Sequence, residues 1–162
     1  MAITSFDPRN PRIVPTKGVP QINSHYAEAN SQSFKAGELV AFSSGTVTAS
    51  TTGDLPVAGI ALADATNVTS GNATIPVMLL NPDDEIYIMV TDGSGNLEAA
   101  NTTCVPGVAY DTEVVSNHHT LASDDTTNPK FVFIEPLYDS TGTVTYWARC
   151  KPFYLENQVT AG

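Results

Sequence analysis

The chain has 162 residues and a mass of 17.1 kDa, which is the size of one domain with a core of its own. Its 17 acidic and 7 basic residues give a net charge of -10, and this balance excludes direct binding to nucleic acid or to anionic membranes, because both draw on lysine and arginine. Charged residues make up only 15% of the chain, so Thr, Ser and Asn are expected to cover the solvent face of β-strands.

The first 33 residues differ in composition from the rest. Their four prolines exclude a helix and a central strand and favour an extended path. We predict an extended, proline-rich N-terminal arm over residues 1–33, with one short helical turn over 25–30, ahead of a single β domain over 34–162. Two interpretations of this arm remain, a disordered tail and a segment docked on a neighbouring surface. The apolar residues that favour docking are Ile3, Phe6, Ile13, Val14, Val19, Ile22 and Tyr26.

Alternating apolar and polar residues predict strands from residue 38 onward. Residues 38–49 read as a hairpin whose tight turn contains Gly45. Residues 57–63 are apolar almost throughout, so both faces of this strand are expected to be covered, with Gly59 as the point of a bend or a close backbone approach. Two further strands, over 73–80 and 85–91, flank a turn of Asn, Pro and Asp.

The second half repeats the opening of the first in a looser form. Residues 35–40 and 105–110 both enter a strand through a glycine, and each is followed by a polar turn, another strand and an apolar strand. A long aromatic strand over 143–155, ending or bulged near Pro152, closes the chain. No helical pattern of convincing length is present. The sequence therefore predicts an all-β fold, a small β-barrel or β-tulip-like body with an extended N-terminal arm.

No pattern of residues indicates catalysis. His118 and His119 are adjacent on a predicted strand or turn, so they point to opposite faces and are expected at the surface, without a shared metal. The carboxylates at 83–85 and 124–125 are expected to be solvated turns, and no nucleophile, phosphate-loop or dinucleotide motif is present. We predict neither enzyme activity nor a metal or cofactor. The spacing of Cys104 and Cys150 does not decide whether they form a disulfide, and we expect reduced, partly buried thiols.

The stretches FKAGELVAFSSGTVTAS and AGIALADAT, with the proline-rich arm before them, resemble the head decoration, or cement, proteins of tailed bacteriophages. The resemblance covers residues 34–80 and, more loosely, 105–135. It implies a compact β-barrel or β-tulip body that assembles as a homotrimer and binds the major capsid protein at three-fold and quasi-three-fold positions. Such a protein is made in the host cytoplasm, lies on the outer capsid surface of the virion and stabilises the expanded head against the pressure of packaged DNA.

The resemblance assigns the arm to the capsid or subunit interface. Its basic residues are expected to pair with acidic capsid groups, and its apolar residues to supply contact area. These candidates are Arg9, Arg12, Ile13, Val14, Lys17, Val19 and Tyr26.

Two alternatives from other classes remain. A phage tail or fibre component is also a Thr-rich β protein, although longer repeats are expected there. A carbohydrate-binding β module needs Trp147, Tyr146 or Tyr154 exposed on a flat face, whereas inward rings close a core or a subunit interface.

Overall fold

A computed structural model describes residues 21–51, 57–70, 73–116 and 118–153. Every long regular element in these ranges is a β-strand. These residues form no helix, and so none that is long and apolar enough to cross a membrane. The prediction of an all-β fold is confirmed.

The strands divide into two consecutive sets. The first set is β1 (Gln21–Ala27), β2 (Leu39–Ser43), β3 (Thr46–Ala49), β4 (Gly59–Ala61) and β5 (Thr74–Leu79). The second set is β6 (Ile86–Thr91), β7 (Ala109–Tyr110), β8 (Thr112–Val115), β9 (His118–Ala122), β10 (Phe131–Tyr138) and β11 (Val144–Pro152).

Each set forms one sheet. The first has the order β1-β5-β4-β2-β3, and its strand pairs are antiparallel. Just past β1, Glu28 bridges to Val47 of β3, and the amide of Ala29 donates to the Val47 carbonyl at 2.9 Å. The two edges of this sheet therefore approach each other, and it is nearly closed into a barrel. The second sheet has the order β7-β10-β11-β6-β9-β8, with β6 and β9 parallel.

Two apolar clusters hold the sheets together. The barrel core, inside the first sheet, consists of Phe34, Val40, Val47, Ala61, Ile75 and Val77. The central core lies mostly on the second sheet but also includes Leu39 and Ile60 from the first. Because neighbouring residues on a strand point to opposite faces, β2 and β4 each contribute to both clusters. The prediction that both faces of the strand near residue 60 are covered is confirmed.

Turn chemistry explains how the first sheet begins. Ser44 and Gly45 have positive φ angles of 50° and 81°, the combination that a two-residue type I′ hairpin turn requires. The register Ser43 to Thr46 then follows directly. The hairpin predicted over 38–49 is confirmed.

Four strands of the first half correspond in order to four strands of the second half, in line with the repeat expected from the sequence. We call β1, β2, β4 and β5 unit A, and β6, β7, β10 and β11 unit B. Their sheet orders, β1-β5-β4-β2 and β6-β11-β10-β7, are equivalent. Gly37 and Gly107 each lie two residues before β2 and β7, with φ angles of 95° and 86°. Unit A nearly closes a barrel with β3, whereas unit B extends into a second sheet with β8 and β9.

Backbone hydrogen bonds fix which residues correspond. The amide of Ala58 donates to the Val40 carbonyl at 2.8 Å, and the amide of Lys130 donates to the Tyr110 carbonyl at 2.9 Å. Strand pairing likewise places Val77 opposite Ala61 and Cys150 opposite Phe133. These correspondences allow one unit to serve as an internal comparison for the other.

The described part of the predicted arm belongs to the first sheet. The helical turn predicted over 25–30 is wrong, because β1 continues to Ala27 and pairs with β5. Immediately after it, the buried carboxylate of Glu28 accepts hydrogen bonds from the amide and hydroxyl of Thr66 at 2.9 and 2.8 Å and from the amide of Asn67 at 3.1 Å. Residues 1–20 lie outside the described ranges.

Candidate interaction surface

Unit A carries an exposed apolar patch on the outside of its sheet. Met78 pairs with Ile22 on one side and with Ile60 on the other, so these three side chains share a face. Pro76 lies on the same face two residues earlier, and its carbonyl accepts the amide of Leu62 at 2.9 Å. We call Ile22, Leu62, Pro76 and Met78 the outer patch.

The outer patch lies at the edge of buried structure. Ile60, on the same face, is covered by the second sheet, but Ile22 is 61% exposed and Leu62 is 40% exposed. Pro76 and Met78 are half-buried between them. Four adjacent apolar side chains on one face of this chain therefore remain in contact with solvent.

Unit B carries charges at the equivalent places. Pairing equates Met78 with Lys151 and Pro76 with Arg149. By the same register, Ile22 corresponds to Glu85, since Asn23 faces Val77 and Ile86 faces Cys150. Leu62 corresponds to Glu135, the partner of Arg149.

The unit B charges neutralise one another on the surface. Arg149 donates to Glu85 at 3.1 Å and lies 2.9 Å from Glu135. The fold therefore accepts a charged outer face at these positions, and the apolar character of the outer patch is not a requirement of the strand pairing. Exposed, contiguous apolar surface of this kind is typical of contact sites.

The sequence-predicted contact residues fall on both sides of the described boundary. Arg9, Arg12, Ile13, Val14, Lys17 and Val19 lie outside the described residues. Tyr26 is half-buried in β1 and packs on the barrel core, with its ring centroid 4.6 Å from that of Phe42. Tyr26 thus contacts its own domain.

The cations of the described residues are mostly used inside the chain. Lys35 pairs with Asp64 at 3.0 Å, Lys130 pairs with Asp111, and Arg149 pairs with two glutamates. Only Lys151 has no ion pair among the described residues. Three of the seven basic residues of the chain, Arg9, Arg12 and Lys17, lie within residues 1–20.

A second cluster is buried and polar. Lys130 and Asp111 are 2% and 1% exposed and form an ion pair, and the Lys130 ammonium also donates to the Thr51 carbonyl at 3.0 Å. Nε2 of His119 lies 2.6 Å from the neighbouring Ser50 carbonyl, so Nε2 carries the proton. Burial lowers the pKa of His119 to about 4, and its Nδ1 has no partner among the described residues.

Several sequence expectations about polar residues require correction. His118 and His119 were expected at the surface, but both are buried in β9. Asp84 was expected in a solvated turn, but it is buried and accepts the amide of Asn81 at 2.7 Å. His118 and Asp84 each have a hydrogen-bond partner two or three residues away, whereas Nε2 of His119 reaches the Ser50 carbonyl, 69 positions away, and composition alone reveals none of these partners.

The cysteines are free thiols in the central core. Burial raises the pKa of Cys104 to about 12, and burial also raises the pKa of Cys150. Neither is therefore suited to nucleophilic chemistry. Within the described ranges, no three His, Cys, Asp or Glu side chains come together to hold a metal ion.

Two of the three candidate sugar-stacking aromatics can be placed. Tyr146 is 39% exposed and Trp147 is half-buried on β11, while Tyr154 lies outside the described residues. A broad flat face of rings is not formed by these two alone, since consecutive residues of a strand point to opposite sides.

Comparison with known proteins identifies no family for this chain. No family model matches the sequence, and no curated protein matches it.

The sequence signal for the two sites differs. The outer patch depends on the register of three strands, which no local pattern fixes. The buried cluster had one signal in the sequence, which is that Lys130 is the sole lysine or arginine between Glu38 and Asp139. Asp111 and His119 had no comparable signal.

Proposed function

We propose that this chain is a capsid decoration protein, a structural component that binds the outer surface of a tailed-phage head as a trimer and stabilises the expanded capsid. The observation that carries the proposal is the outer patch, which is apolar and exposed where the equivalent face of unit B is charged and self-neutralised. Ile22 of the patch follows residues 1–20 closely in the sequence, so in this proposal the patch supplies an apolar contact and Arg9, Arg12 and Lys17 supply charge to the same partner.

The chemistry of the chain fits a structural role on an acidic, crowded surface. Few cations of the body are free, so attraction to acidic capsid groups falls to Arg9, Arg12 and Lys17. When a trimer binds the capsid through three such segments, the second and third contacts form within a complex that already exists. Weak individual contacts then sum to stable attachment.

The first test is solution mass by light scattering, followed by co-sedimentation with capsids emptied of DNA. We expect a trimer that sediments with capsids and saturates at a fixed stoichiometry. A monomer that stays in the supernatant would contradict the proposal, and a screen of immobilised sugars would then test Tyr146 and Trp147.

The outer patch is tested by giving it the residues that unit B already carries. The double variant Ile22→Glu and Met78→Lys matches Glu85 and Lys151, so it is expected to fold. Loss of the apolar area that these two side chains would bury against the partner should weaken capsid or trimer binding by about a hundredfold. Val114→Glu on β8, where Val114 is 43% exposed in the other sheet, is the matched control and should bind normally. Unchanged binding by the double variant would remove the patch from the interface.

The contribution of the N-terminal segment needs a truncation that respects the fold. Deletion of residues 1–20 leaves β1 in place, whereas a cut beyond residue 20 removes an edge strand of the first sheet. We expect the truncated chain to keep its thermal unfolding transition and to lose capsid binding. Full binding by this chain would show that Arg9, Arg12 and Lys17 are not contacts.

A further inference from the structure

Asp111 and Lys130 occupy positions that unit A fills with alanine. Lys130 corresponds to Ala58, because each donates its amide to the strand that follows the unit's glycine. Asp111 directly follows Tyr110, as Ala41 follows Val40, so Asp111 corresponds to Ala41. Ala41 and Ala58 are fully buried. The same backbone arrangement thus forms with two methyl groups in unit A and with an ammonium and a carboxylate in unit B.

A buried ion pair is a poor source of stability. Taking both charges out of water costs several kcal/mol per ion, and apolar replacements of such pairs are often neutral or stabilising. Unit A is the apolar version of this site. The stability of the strand pairing therefore does not explain why unit B has a buried ion pair.

The surroundings of the pair favour chemistry between its members. Both groups are almost completely buried, and burial destabilises the ammonium and the carboxylate relative to the neutral amine and acid from which an amide forms. The Lys130 ammonium is held by the Asp111 carboxylate and by the Thr51 carbonyl, which fixes its position. Nε2 of His119 donates to the carbonyl of Ser50, the residue directly before Thr51, so a second polar side chain of the core is held beside the segment that binds Lys130.

We propose that Lys130 and Asp111 condense to form an intramolecular isopeptide bond. A C–N bond forms between Nζ of Lys130 and Cγ of Asp111, and one Cγ–O bond of Asp111 breaks. Two protons of the ammonium and one carboxylate oxygen leave as water, so the ion pair becomes a neutral amide. No oxidant, reductant or co-reactant is needed.

The bond would tie the end of β7 to the start of β10 around the β8–β9 hairpin. The residues between 111 and 130 become a closed covalent loop, which lowers the entropy of the unfolded chain. The burial cost of two charges also disappears. This proposal does not depend on the capsid role.

The test is the intact mass of the purified full chain together with a tryptic digest. The bonded chain lacks the mass of one water, and trypsin cannot cut after Lys130, so residues 36–149 stay together as one dehydrated fragment. An unbonded chain gives separate fragments over 36–130 and 131–149. Dehydration at Asp92-Gly93 also loses water, but it leaves the cut after Lys130 intact. Full mass with normal cutting after Lys130 would overturn the proposal.

Two variants test whether Asp111 and Lys130 are the residues that form the bond. The double variant Asp111→Ala and Lys130→Ala reproduces Ala41 and Ala58 of unit A and should fold with no loss of water. Lys35→Ala removes an exposed ion pair with Asp64 and should keep the loss of water. A water loss that persists in the double variant would place the bond elsewhere and overturn the proposal.

Discussion

At the scale of single residues, Glu38 is the carboxyl group whose environment most clearly affects stability. It lies between Gly37 and β2, is 3% exposed, and its Oε1 has no hydrogen-bond partner among the described residues. Burial raises the pKa of Glu38 to about 7, against the opposing effects of the Lys35 backbone and charge. The folded chain therefore binds this proton more tightly than the unfolded chain does.

The sign of the pH dependence follows. The unfolded carboxyl titrates near its ordinary pKa of 4.5, and the folded one near 7, so the folded state holds more protons in this window. The free energy of unfolding should fall as the pH rises from 4.5 to about 7 and then level off. Glu38→Gln should remove this slope and stabilise the protein at pH about 8 by about 2 kcal/mol.

Urea unfolding across this pH range measures the effect. Asp83→Asn removes a charge at an exposed turn position and is the control. Parallel pH profiles for the wild type and Glu38→Gln would contradict the assignment of the slope to Glu38.

Burial of polar residues is what the sequence predicted least well. Strand β9 reads His, His, Thr, Leu, Ala and is buried at every position, and Nε2 of its His119 is satisfied by the carbonyl of Ser50. This partner is 69 positions away in the sequence. A rule that places histidine and threonine at the surface fails wherever the fold supplies a carbonyl.

At the scale of elements, Gly59 controls the pairing of β4 with β5. A Cβ at this position would lie 2.2 Å from the Met78 carbonyl oxygen and 2.9 Å from Cγ1 of Val77. The nearer atom belongs to the backbone, so the two strands would have to separate. Gly59→Ala should therefore destabilise the chain by about 3 kcal/mol.

Gly45 is the matched comparison. A Cβ there meets nothing within 4 Å, and the only penalty comes from the positive φ of 81°. Gly45→Ala should cost about 1 kcal/mol. Thermal or urea unfolding of both variants checks the order, and a larger loss for Gly45→Ala would mean that turn strain outweighs the close approach at Gly59.

The sequence predicted most of the strands, but it did not predict how the strands pair with one another. Turn residues and alternation located the 38–49 hairpin, the strand at Gly59 and the end of β11 at Pro152. The helical turn over 25–30 was wrong because pairing with β5 overrides the local pattern there. The outer patch depends on Ile22 pairing with Met78, more than fifty positions away in the chain.

At the scale of the whole molecule, two units of the same topology have acquired different surfaces. Unit A has an apolar outer face and an alanine pair where unit B has a charged outer face and a buried ion pair. The shared backbone shows that neither difference is imposed by the fold. The outer patch is therefore the feature of the body that best indicates a partner.

We propose that this partner is a phage capsid and that binding of the chain strengthens the capsid. The most direct measurement is the rupture temperature of DNA-filled heads lacking decoration, followed as the purified chain is added. We predict that the rupture temperature rises with occupancy and stops rising at saturation, and that Ile22→Glu with Met78→Lys gives no rise at the same concentration. An unchanged rupture temperature at saturating wild-type protein would contradict the claim.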